Sequence, residues 1–309
     1  MPDDPGESFV WTTLLRDAGP CSTNDLRVPP GDDAAVLADG LVLTQDAFIE
    51  GVHWDGRFTG SDVGWRLAMA NLSDLNAMGA QAVWAMLSIA LPKPLDRAWV
   101  EDFSRGFSQA LDNVPLIGGD TCSSPGPKAL SVTLAGRLVA EPIRRTGAQV
   151  GDEIWVSGQL GAAAGGYYDI PELRSAFLRP APPLSLGPAL AERGLVTSGM
   201  DLSDGLCQDL HRLCAASGVS AAIDPAALPL PDALLTRPDP VMDAVGFGED
   251  FELLFTASAS QHAALRALSA ELQVPLTCIG HIHAGRALPT LGKLTWPVGW
   301  SHFGPETQC

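Results

Sequence analysis

The sequence is poor in positive charge. Only 19 of its 309 residues are Lys or Arg, against 36 that are Asp or Glu, so the formal net charge at pH 7 is −17. A nucleic-acid-binding surface needs clustered basic residues, so we expect no nucleic-acid partner. The acidic excess favours solubility, or the recognition of an anion through bridging metal ions.

Long hydrophobic runs and paired cysteines are also missing. No apolar run approaches the roughly 20 residues of a membrane helix, and the acidic start MPDDPGESF has no signal-peptide core. The six cysteines contain no CxxC pair. We therefore expect a reduced, cytoplasmic protein that does not associate with membranes.

The common nucleotide-binding fingerprints do not occur. The sequence has no GxxxxGK[ST] P-loop, no GxGxxG dinucleotide motif and no HRD or DFG kinase motif. An EF-hand calcium loop is absent too, which argues against a calcium sensor. Any nucleotide site in this chain would have to hold its triphosphate through metal ions.

Hydrophobic periodicity predicts helices and strands that alternate without the regular βαβ spacing of a doubly wound sheet. We expect helices at 7–18, 62–79, 96–113, 160–168, 205–217 and 258–271. We expect strands at 34–37 and 41–46 (a hairpin around Asp39-Gly40), 82–91 (buried), 129–139, 251–256 and 276–281, with VPLIGGDT forming a strand followed by a loop. A polar turn within 141–152 divides the chain into two predicted domains, 1–147 and 148–309.

Acidic residues recur beside glycines and at the ends of predicted elements: Asp32, Asp33, Asp46, Asp74, Asp120, Asp201, Asp204, Glu249 and Asp250. Each one alone is consistent with a helix cap or a turn residue. If they converge, they cannot all stay ionised without cations, because each charge raises the pKa of the others. Oxygen ligands without Cys or His partners are typical of Mg²⁺ or Ca²⁺ sites.

A run of segments, taken in order, resembles the thiamine-monophosphate kinase family, in the superfamily that includes aminoimidazole ribonucleotide synthetase. The segments are GDDAAVL, TQDAFIEGVHW, NLSDLNAMGA, LIGGDT, RTGAQVGD, MDLSDGLCQDL, GEDFELLFT and GWSHF. They extend over most of the chain, and EGVHW and GEDFELLF favour this kinase over its relatives.

The resemblance implies transfer of a phosphoryl group from ATP to thiamine monophosphate, with several Mg²⁺ ions. It also implies a homodimer and a two-domain fold of α/β (α+β) class, like that of aminoimidazole ribonucleotide synthetase. In such a fold, an N-terminal α/β domain (1–147) binds ATP and Mg²⁺ and forms a joint barrel with the partner subunit. The C-terminal α+β domain (148–309) completes the cleft.

The resemblance also assigns roles by position. The implied ATP-binding residues are Gly119, Asp120, Arg145 and Ser203, with Arg144 as a near alternative to Arg145. The implied metal ligands are Asp33 (with Asp32 beside it), Thr44, Gln45, Asp46, Asp74, Asp120, Asp201 and Asp204. The implied thiamine-phosphate pocket contains His53, Glu249 and Trp300.

These assignments agree with the chemistry of the side chains. Trp300 can stack on a flat cationic heterocycle, His53 can donate to a phosphate, and Glu249 can accept from a pyrimidine amine. The acceptor phosphate is already an anion, so no catalytic general base is required, and catalysis depends on positioning and charge neutralisation. Packing, turn and surface roles are the alternatives for each residue.

Some positions depart from the family pattern. Gln45 stands where the family often has a small hydroxyl residue, and the segment CSSPG after GGDT lacks an arginine that is common there. A basic residue is also missing from RPAPPLSLG. Two other functions remain open at this point: another ATP-dependent enzyme of the same fold, such as a ribonucleotide or selenophosphate synthetase, and an acidic cation-binding protein without enzymatic activity.

Overall fold

The computed structural model describes residues 5–18 and 25–296, so Trp300 lies outside the described residues. The described chain contains two six-stranded sheets. The first sheet contains β1 (Leu26–Val28), β2 (Ala35–Leu37), β3 (Leu41–Ile49), β4 (Ala80–Pro92), β5 (Leu116–Ser124) and β6 (Ala129–Leu138). The second contains β7 (Glu153–Ser157), β8 (Ser198–Asp201), β9 (Ser220–Ile223), β10 (Leu253–Ala257), β11 (Leu276–His283) and β12 (Thr290–Leu291).

The helices lie before, between and after these strands. They are α1 (Pro5–Ala18), α2 (Gly60–Ala77), α3 (Arg97–Leu111), α4 (Ala162–Tyr167), α5 (Arg174–Leu178), α6 (Leu186–Arg193), α7 (Leu206–Ser217), α8 (Pro240–Gly246) and α9 (His262–Leu272). No helix in the described part of the chain is long and apolar enough to cross a membrane. The expected two-part α/β architecture is confirmed, while the domain boundary at 147/148 stays a prediction.

The first sheet has the strand order β1-β2-β3-β6-β4-β5, and β4 and β5 are its parallel pair. The predicted hairpin is present, with Val36 opposite Val42, and Gly40 takes the positive φ of 82° that the turn needs. Helices α2 and α3 pack together beside one face of the sheet, and their buried residues join those of the strands in one core. We call the helix-covered face the inner face and the opposite one the outer face.

The burial of β4 differs from the expectation. It is a strand, as predicted, but Met86 on its outer face is 41 % exposed. The outer face carries more exposed apolar residues, among them Ile49 on β3. In a single chain the helices therefore cover only one side of the sheet.

The predicted loop in LIGGDT is wrong, because β5 continues through both glycines to Ser124. Gly119 pairs with Leu87 of β4, and a Cβ at Gly119 would overlap the carbonyl oxygen of Leu87. Glycine is needed here for close approach of two strands rather than for a turn. Asp120 consequently sits within a strand at the edge of the sheet.

The second sheet has the order β12-β9-β11-β7-β10-β8 and its own apolar core. Strand β8, which the sequence did not predict, ends at Asp201 beside α2 of the N-terminal half. Helix α2 begins at a Thr59 capping box and is mostly buried along its length. Asn76 near its end accepts a 2.8 Å hydrogen bond from the Gly187 amide of α6. Helix α2 thus contacts both halves of the chain.

Candidate active site

Carboxylates from both halves of the chain, all but Asp204 with buried side chains, meet where β3, α2, β8 and the start of α7 come together. We call this set the acidic cluster, and it consists of Asp33, Asp46, Asp74, Asp201, Asp204 and Asp209. All but Asp209 are among the metal ligands that the sequence predicts. Burial, and after it mutual repulsion within this set, raises the pKa of several members, and the repulsion identifies them as electrostatic neighbours.

Strand β3 and helix α2 supply the first two carboxylates. The Thr44 hydroxyl donates a 2.5 Å hydrogen bond to Oδ2 of Asp74. The Asp46 amide donates to Oδ1 of Asn71, one turn before Asp74 on α2, at 3.2 Å. The alternation of β3 places Thr44 and Asp46 on the same, inner face of the sheet. Three of the predicted ligands are therefore adjacent.

Strand β8 brings the third carboxylate from the C-terminal half. Ser73 of α2 donates a 2.9 Å hydrogen bond to Oδ2 of Asp201, and both residues are buried. The neighbouring positions 73 and 74 of one helix thus contact, respectively, the second sheet and the first. The NLSD and DLSD motifs, far apart in the sequence, meet at this point.

Arg145 neutralises part of the cluster. Its Nε donates to Oδ1 of Asp33 at 3.0 Å, and its amide donates to Oδ1 of Asp32 at 2.8 Å. Burial lowers the pKa of the Arg145 guanidinium, but the Asp33 carboxylate outweighs it and raises that pKa above the usual range. Arg144 is exposed. Of the two arginines the sequence left open, Arg145 is the one that contacts the cluster.

The start of α7 adds two residues that the sequence analysis missed. The Asp204 amide donates to Oδ2 of Asp209 at 3.1 Å. Arg212, one turn later on α7, contacts the carboxylates of both Asp204 and Asp209. Asp209 lies five positions beyond Asp204 within the quoted segment MDLSDGLCQDL, but the resemblance assigned it no role.

Burial dominates the electrostatics of the cluster. Burial and repulsion from Asp46, Asp201 and Asp33 raise the pKa of Asp74 well above its ordinary value, against the lowering effect of the Thr44 hydrogen bond. Burial and Asp204 raise the pKa of Asp46 to about 6. The same two causes raise the pKa of Asp209 to about 8. The cluster therefore holds protons near neutral pH unless cations replace them.

The donor set fits a hard divalent cation, because every candidate ligand is an oxygen. Oδ2 of Asp33 is buried and has no hydrogen-bond partner among the described residues. Between residues 25 and 296, however, no three acidic, His or Cys side chains are arranged to hold a metal ion. The carboxylates face Arg145, Arg212, Thr44 and Ser73 instead. Cation binding would require those contacts to rearrange.

Two predicted ligands project away from the acidic cluster. Gln45 alternates with Thr44 and Asp46, so its side chain lies on the outer face, where it accepts a 2.9 Å hydrogen bond from Thr133. Asp120 lies on the outer face of β5 too, because Gly119 shares the register of Asp46 across the sheet. Strands β6 and β4 lie between β3 and β5. At the usual strand spacing, β5 is therefore about 14 Å from β3.

The predicted thiamine-phosphate pocket is described in part. Nδ1 of His53 accepts a 3.0 Å hydrogen bond from the Ile49 amide, so Nε2 carries the proton of the neutral ring. The ring stacks on Phe48 with centroids 5.1 Å apart. The Glu249 amide donates to the carbonyl oxygen of Ser203 at 2.8 Å, which joins this loop to the DLSD segment. Trp300 lies outside the described residues.

Two family models match the chain. The AIR synthase related protein N-terminal domain covers residues 31–138 and the corresponding C-terminal domain covers residues 149–288. The thiamine-monophosphate kinase of Escherichia coli K12 is 36% identical over 282 residues, which is 84% of this chain and 85% of that protein.

Solved structures are similar to the chain over nearly its whole length. The crystal structure of thiamine-monophosphate kinase from Stenotrophomonas maltophilia is 39% identical, has a TM-score of 0.76, and covers 92% of this chain and 94% of its own. A structure described as AaThiL complexed with AMPPCP and TMP is 29% identical, has a TM-score of 0.84, and covers 96% of this chain and 97% of its own. With these similarities over both halves, the chain belongs to the thiamine-monophosphate kinase family of AIR synthase-related proteins.

Proposed function

We propose that this enzyme transfers the γ-phosphoryl group of ATP directly to the phosphate of thiamine monophosphate, forming thiamine diphosphate and ADP, in the cytoplasm. The observation that carries the proposal is the convergence of buried carboxylates from both halves on α2, seen in the Ser73–Asp201 contact. Membership of the family supports it, as does the relative that holds AMPPCP, an ATP analogue, together with TMP.

The acidic cluster is the proposed magnesium site. Asp33, Asp46, Asp74, Asp201 and Asp204 would hold several Mg²⁺ ions, with Thr44 and the backbone carbonyl of Gln45 as further oxygen donors. Bound Mg²⁺ would supply the positive charge that brings two polyanions together and stabilises the transferring phosphoryl group. Gln45 replaces a hydroxyl residue without loss in this arrangement, because its side chain points to the outer face.

Arg145 is the proposed phosphate-binding arginine. Its guanidinium offers a planar set of donors to phosphate oxygens and already lies against Asp33. Ser203, in the loop after β8, is the proposed nucleotide contact on the other side of the cluster. Since the acceptor phosphate is an anion, these residues act by orienting and neutralising charge, and none needs to remove a proton.

The loop residue Glu249 and His53 form the proposed thiamine-phosphate pocket, which Trp300 would complete. The His53 Nε2–H can donate to the substrate phosphate, and Glu249 can accept from the aminopyrimidine. The indole of Trp300 can stack on the cationic heterocycle. The Glu249–Ser203 backbone contact supports a pocket that adjoins the phosphate-binding residues.

A homodimer is also part of the proposal. The outer face exposes Ile49 and Met86, and Ile117 of the edge strand β5 is 58 % exposed. An apolar surface of this kind is typical of a protein interface, and a second copy that adds its own sheet would cover it. Gly119 and Asp120 belong to the edge strand of that surface, so we propose that they reach the nucleotide of the partner subunit.

The direct test is incubation with ATP, Mg²⁺ and thiamine monophosphate, followed by chromatography. We expect thiamine diphosphate and ADP in equal amounts, with no product when Mg²⁺ is replaced by a chelator. Release of inorganic phosphate without thiamine diphosphate would instead indicate another ATP-dependent enzyme of this fold. A Mg²⁺-induced rise in melting temperature with no response to either substrate would indicate a plain cation-binding protein.

A further inference from the structure

Arg66 of α2 carries the most deeply buried guanidinium among the ion-paired arginines of the described chain, at 2 % exposure. It contacts the Glu249 carboxylate and donates to the carbonyl oxygen of Phe177. Three aromatic rings, those of Phe58, Phe177 and Phe251, lie within 6.0 Å of its Cζ atom. A buried ion pair of this kind contributes little net stability, because desolvation offsets the attraction between the charges. Its presence therefore needs another explanation.

The Glu249 end of the pair is held in an unusual backbone conformation. Glu249 has a φ of 64° and Phe251 a φ of 52°, both in the left-handed region that residues with a Cβ seldom occupy. Hydrogen bonds to the DLSD segment fix the loop: the Glu249 amide donates to Ser203 at 2.8 Å and the Phe251 amide to Leu202 at 2.9 Å. The backbone of Glu249 is thereby tied to the acidic cluster, and Arg66 fixes its side chain.

The Glu249 carboxylate has one buried side and one accessible side. Its side chain is 34 % exposed although its partner is almost completely enclosed. The Nε of Arg66 is buried and has no hydrogen-bond partner within the described ranges. An accessible carboxylate held from behind by a fixed cation keeps acceptor sites for an incoming donor.

We propose that Arg66 is a positioning residue for substrate recognition: it holds the Glu249 carboxylate in the orientation that accepts a hydrogen bond from the aminopyrimidine of thiamine monophosphate. This inference rests on the proposed function. Arg66 lies on the same helix as Ser73 and Asp74, so α2 would set the positions of the thiamine pocket and of the phosphate site together. Loss of Arg66 would weaken binding of the thiamine part and leave ATP binding unaltered.

Three variants separate positioning from packing. Arg66→Met keeps the volume of the side chain among the aromatic rings, and Arg66→Lys keeps the charge. Arg179→Met is the matched control, because Arg179 also joins α2 to the segment around α5, through Asp62 at 2.7 Å and Ser61 at 2.6 Å. Arg179 belongs to none of the proposed binding sites.

We expect Arg66→Met to raise the KM for thiamine monophosphate about tenfold or more, as the loss of a charged hydrogen-bond contact does. The KM for ATP should stay within about twofold of the wild-type value, and Arg66→Lys should recover part of the loss. Calorimetric titration of thiamine monophosphate into the full chain without ATP should show the same order of affinities. Arg179→Met should alter neither constant.

A double variant distinguishes the positioning role from a general folding defect. Glu249→Gln should raise the same KM. The double variant, Arg66→Met with Glu249→Gln, should have a KM for thiamine monophosphate no higher than that of the more impaired single variant, because the two residues act as one unit. Additive effects, or a KM for ATP that rises as much as that for thiamine monophosphate, would overturn the positioning role. If the wild-type chain forms no thiamine diphosphate, the proposed function fails instead; an active wild type with an unchanged Arg66→Met refutes only this inference.

Discussion

The Ser73 hydroxyl of α2 donates a 2.9 Å hydrogen bond to the Asp201 carboxylate of β8, and this contact joins the two halves of the chain inside the acidic cluster. Burial, with repulsion from Asp33 and Asp209, raises the pKa of Asp201 well above its ordinary value, and the Ser73 hydrogen bond opposes that rise. The Ser73 hydroxyl therefore favours the ionised form of Asp201, which is a proposed metal ligand.

Ser73→Ala should lower both stability and magnesium affinity. Removing a hydroxyl that donates a hydrogen bond to a buried carboxylate lowers the free energy of unfolding by about 1–2 kcal/mol. Urea denaturation measures this loss, and isothermal titration with Mg²⁺ and ATP measures the affinity. Ser108→Ala, an exposed change on α3, is the control and should alter neither quantity. Equal denaturation midpoints for the two variants would contradict the role of Ser73.

Asp74→Asn should separate stability from activity. The isosteric amide removes a buried carboxylate that its neighbours repel, so the Mg²⁺-free protein should melt at a higher temperature near pH 8. Turnover should fall by about 10²-fold or more, as it does when an electrostatic stabiliser is deleted. Scanning calorimetry and a thiamine diphosphate assay test the two parts.

Asp243→Asn is the control for that experiment. Asp243 lies on α8, outside the acidic cluster, and its Oδ2 accepts a 2.9 Å hydrogen bond from Nε of Arg237. We expect a small decrease in melting temperature and normal turnover, since partly exposed ion pairs contribute about 1 kcal/mol or less. Near-normal turnover of Asp74→Asn at saturating Mg²⁺ would remove Asp74 from the proposed metal ligands.

The raised pKa values also predict how stability depends on pH. Asp46, with a pKa of about 6, and Asp209, with a pKa of about 8, hold protons in the folded state that the unfolded chain releases near pH 4. The folded protein binds more protons between pH 4 and 8, so the Mg²⁺-free protein should lose stability as pH rises through that window.

Magnesium should counteract this loss increasingly as pH rises. Cations bind the deprotonated cluster, so the Mg²⁺-induced increase in melting temperature should be small at pH 5 and largest near pH 8. Part of the pH dependence should persist in Mg²⁺, because burial also raises the pKa of Asp250 and of Glu252 to about 7, outside the cluster. Asp209→Asn should flatten the curve between pH 6 and 8; an unchanged slope would be the contrary result.

How far the sequence predicts the molecule depends on whether a feature is local. The Asp39-Gly40 turn between two short apolar runs was enough to predict the hairpin, but β3 continues past Asp46, its predicted end, to Ile49. In LIGGDT the two glycines indicated a loop, but close pairing of Gly119 with Leu87 keeps the segment in the sheet. Strand β8 was missed because it has only four residues and none of the alternation of a half-buried strand.

In the candidate site, too, the sequence predicts the residues that lie in local motifs and misses those that only tertiary contacts bring in. The motifs identified Thr44, Asp74 and Asp201 by position, and the structure brings them together through α2. Asp209 and Arg212 were missed, because their contribution arises only when the start of α7 meets the other carboxylates. Convergence of this kind depends on tertiary packing, which no local pattern encodes.

The exposed outer face predicts a dimer that a single charge can disrupt. Met86→Glu places a carboxylate at the proposed interface, so the variant should elute as a monomer in size-exclusion chromatography with light scattering. Leu235→Glu is the matched control, because Leu235 is also exposed, at 56 %, but lies in the C-terminal half. It should leave the dimer intact. A wild-type monomer at micromolar concentration would refute the interface.

Mixed dimers test whether Asp120 serves the partner subunit. Asp120 lies on the outer face of β5, about 14 Å from β3 in the same chain, so Asp74→Ala and Asp120→Ala should each be inactive alone. In a heterodimer of the two variants, one site would combine the intact cluster of one chain with the intact Asp120 of the other. Co-refolding or co-expression should then restore about a quarter of wild-type activity under random pairing. No recovery, with heterodimers verified by differential tags, would show that Asp120 acts within its own chain or not at all.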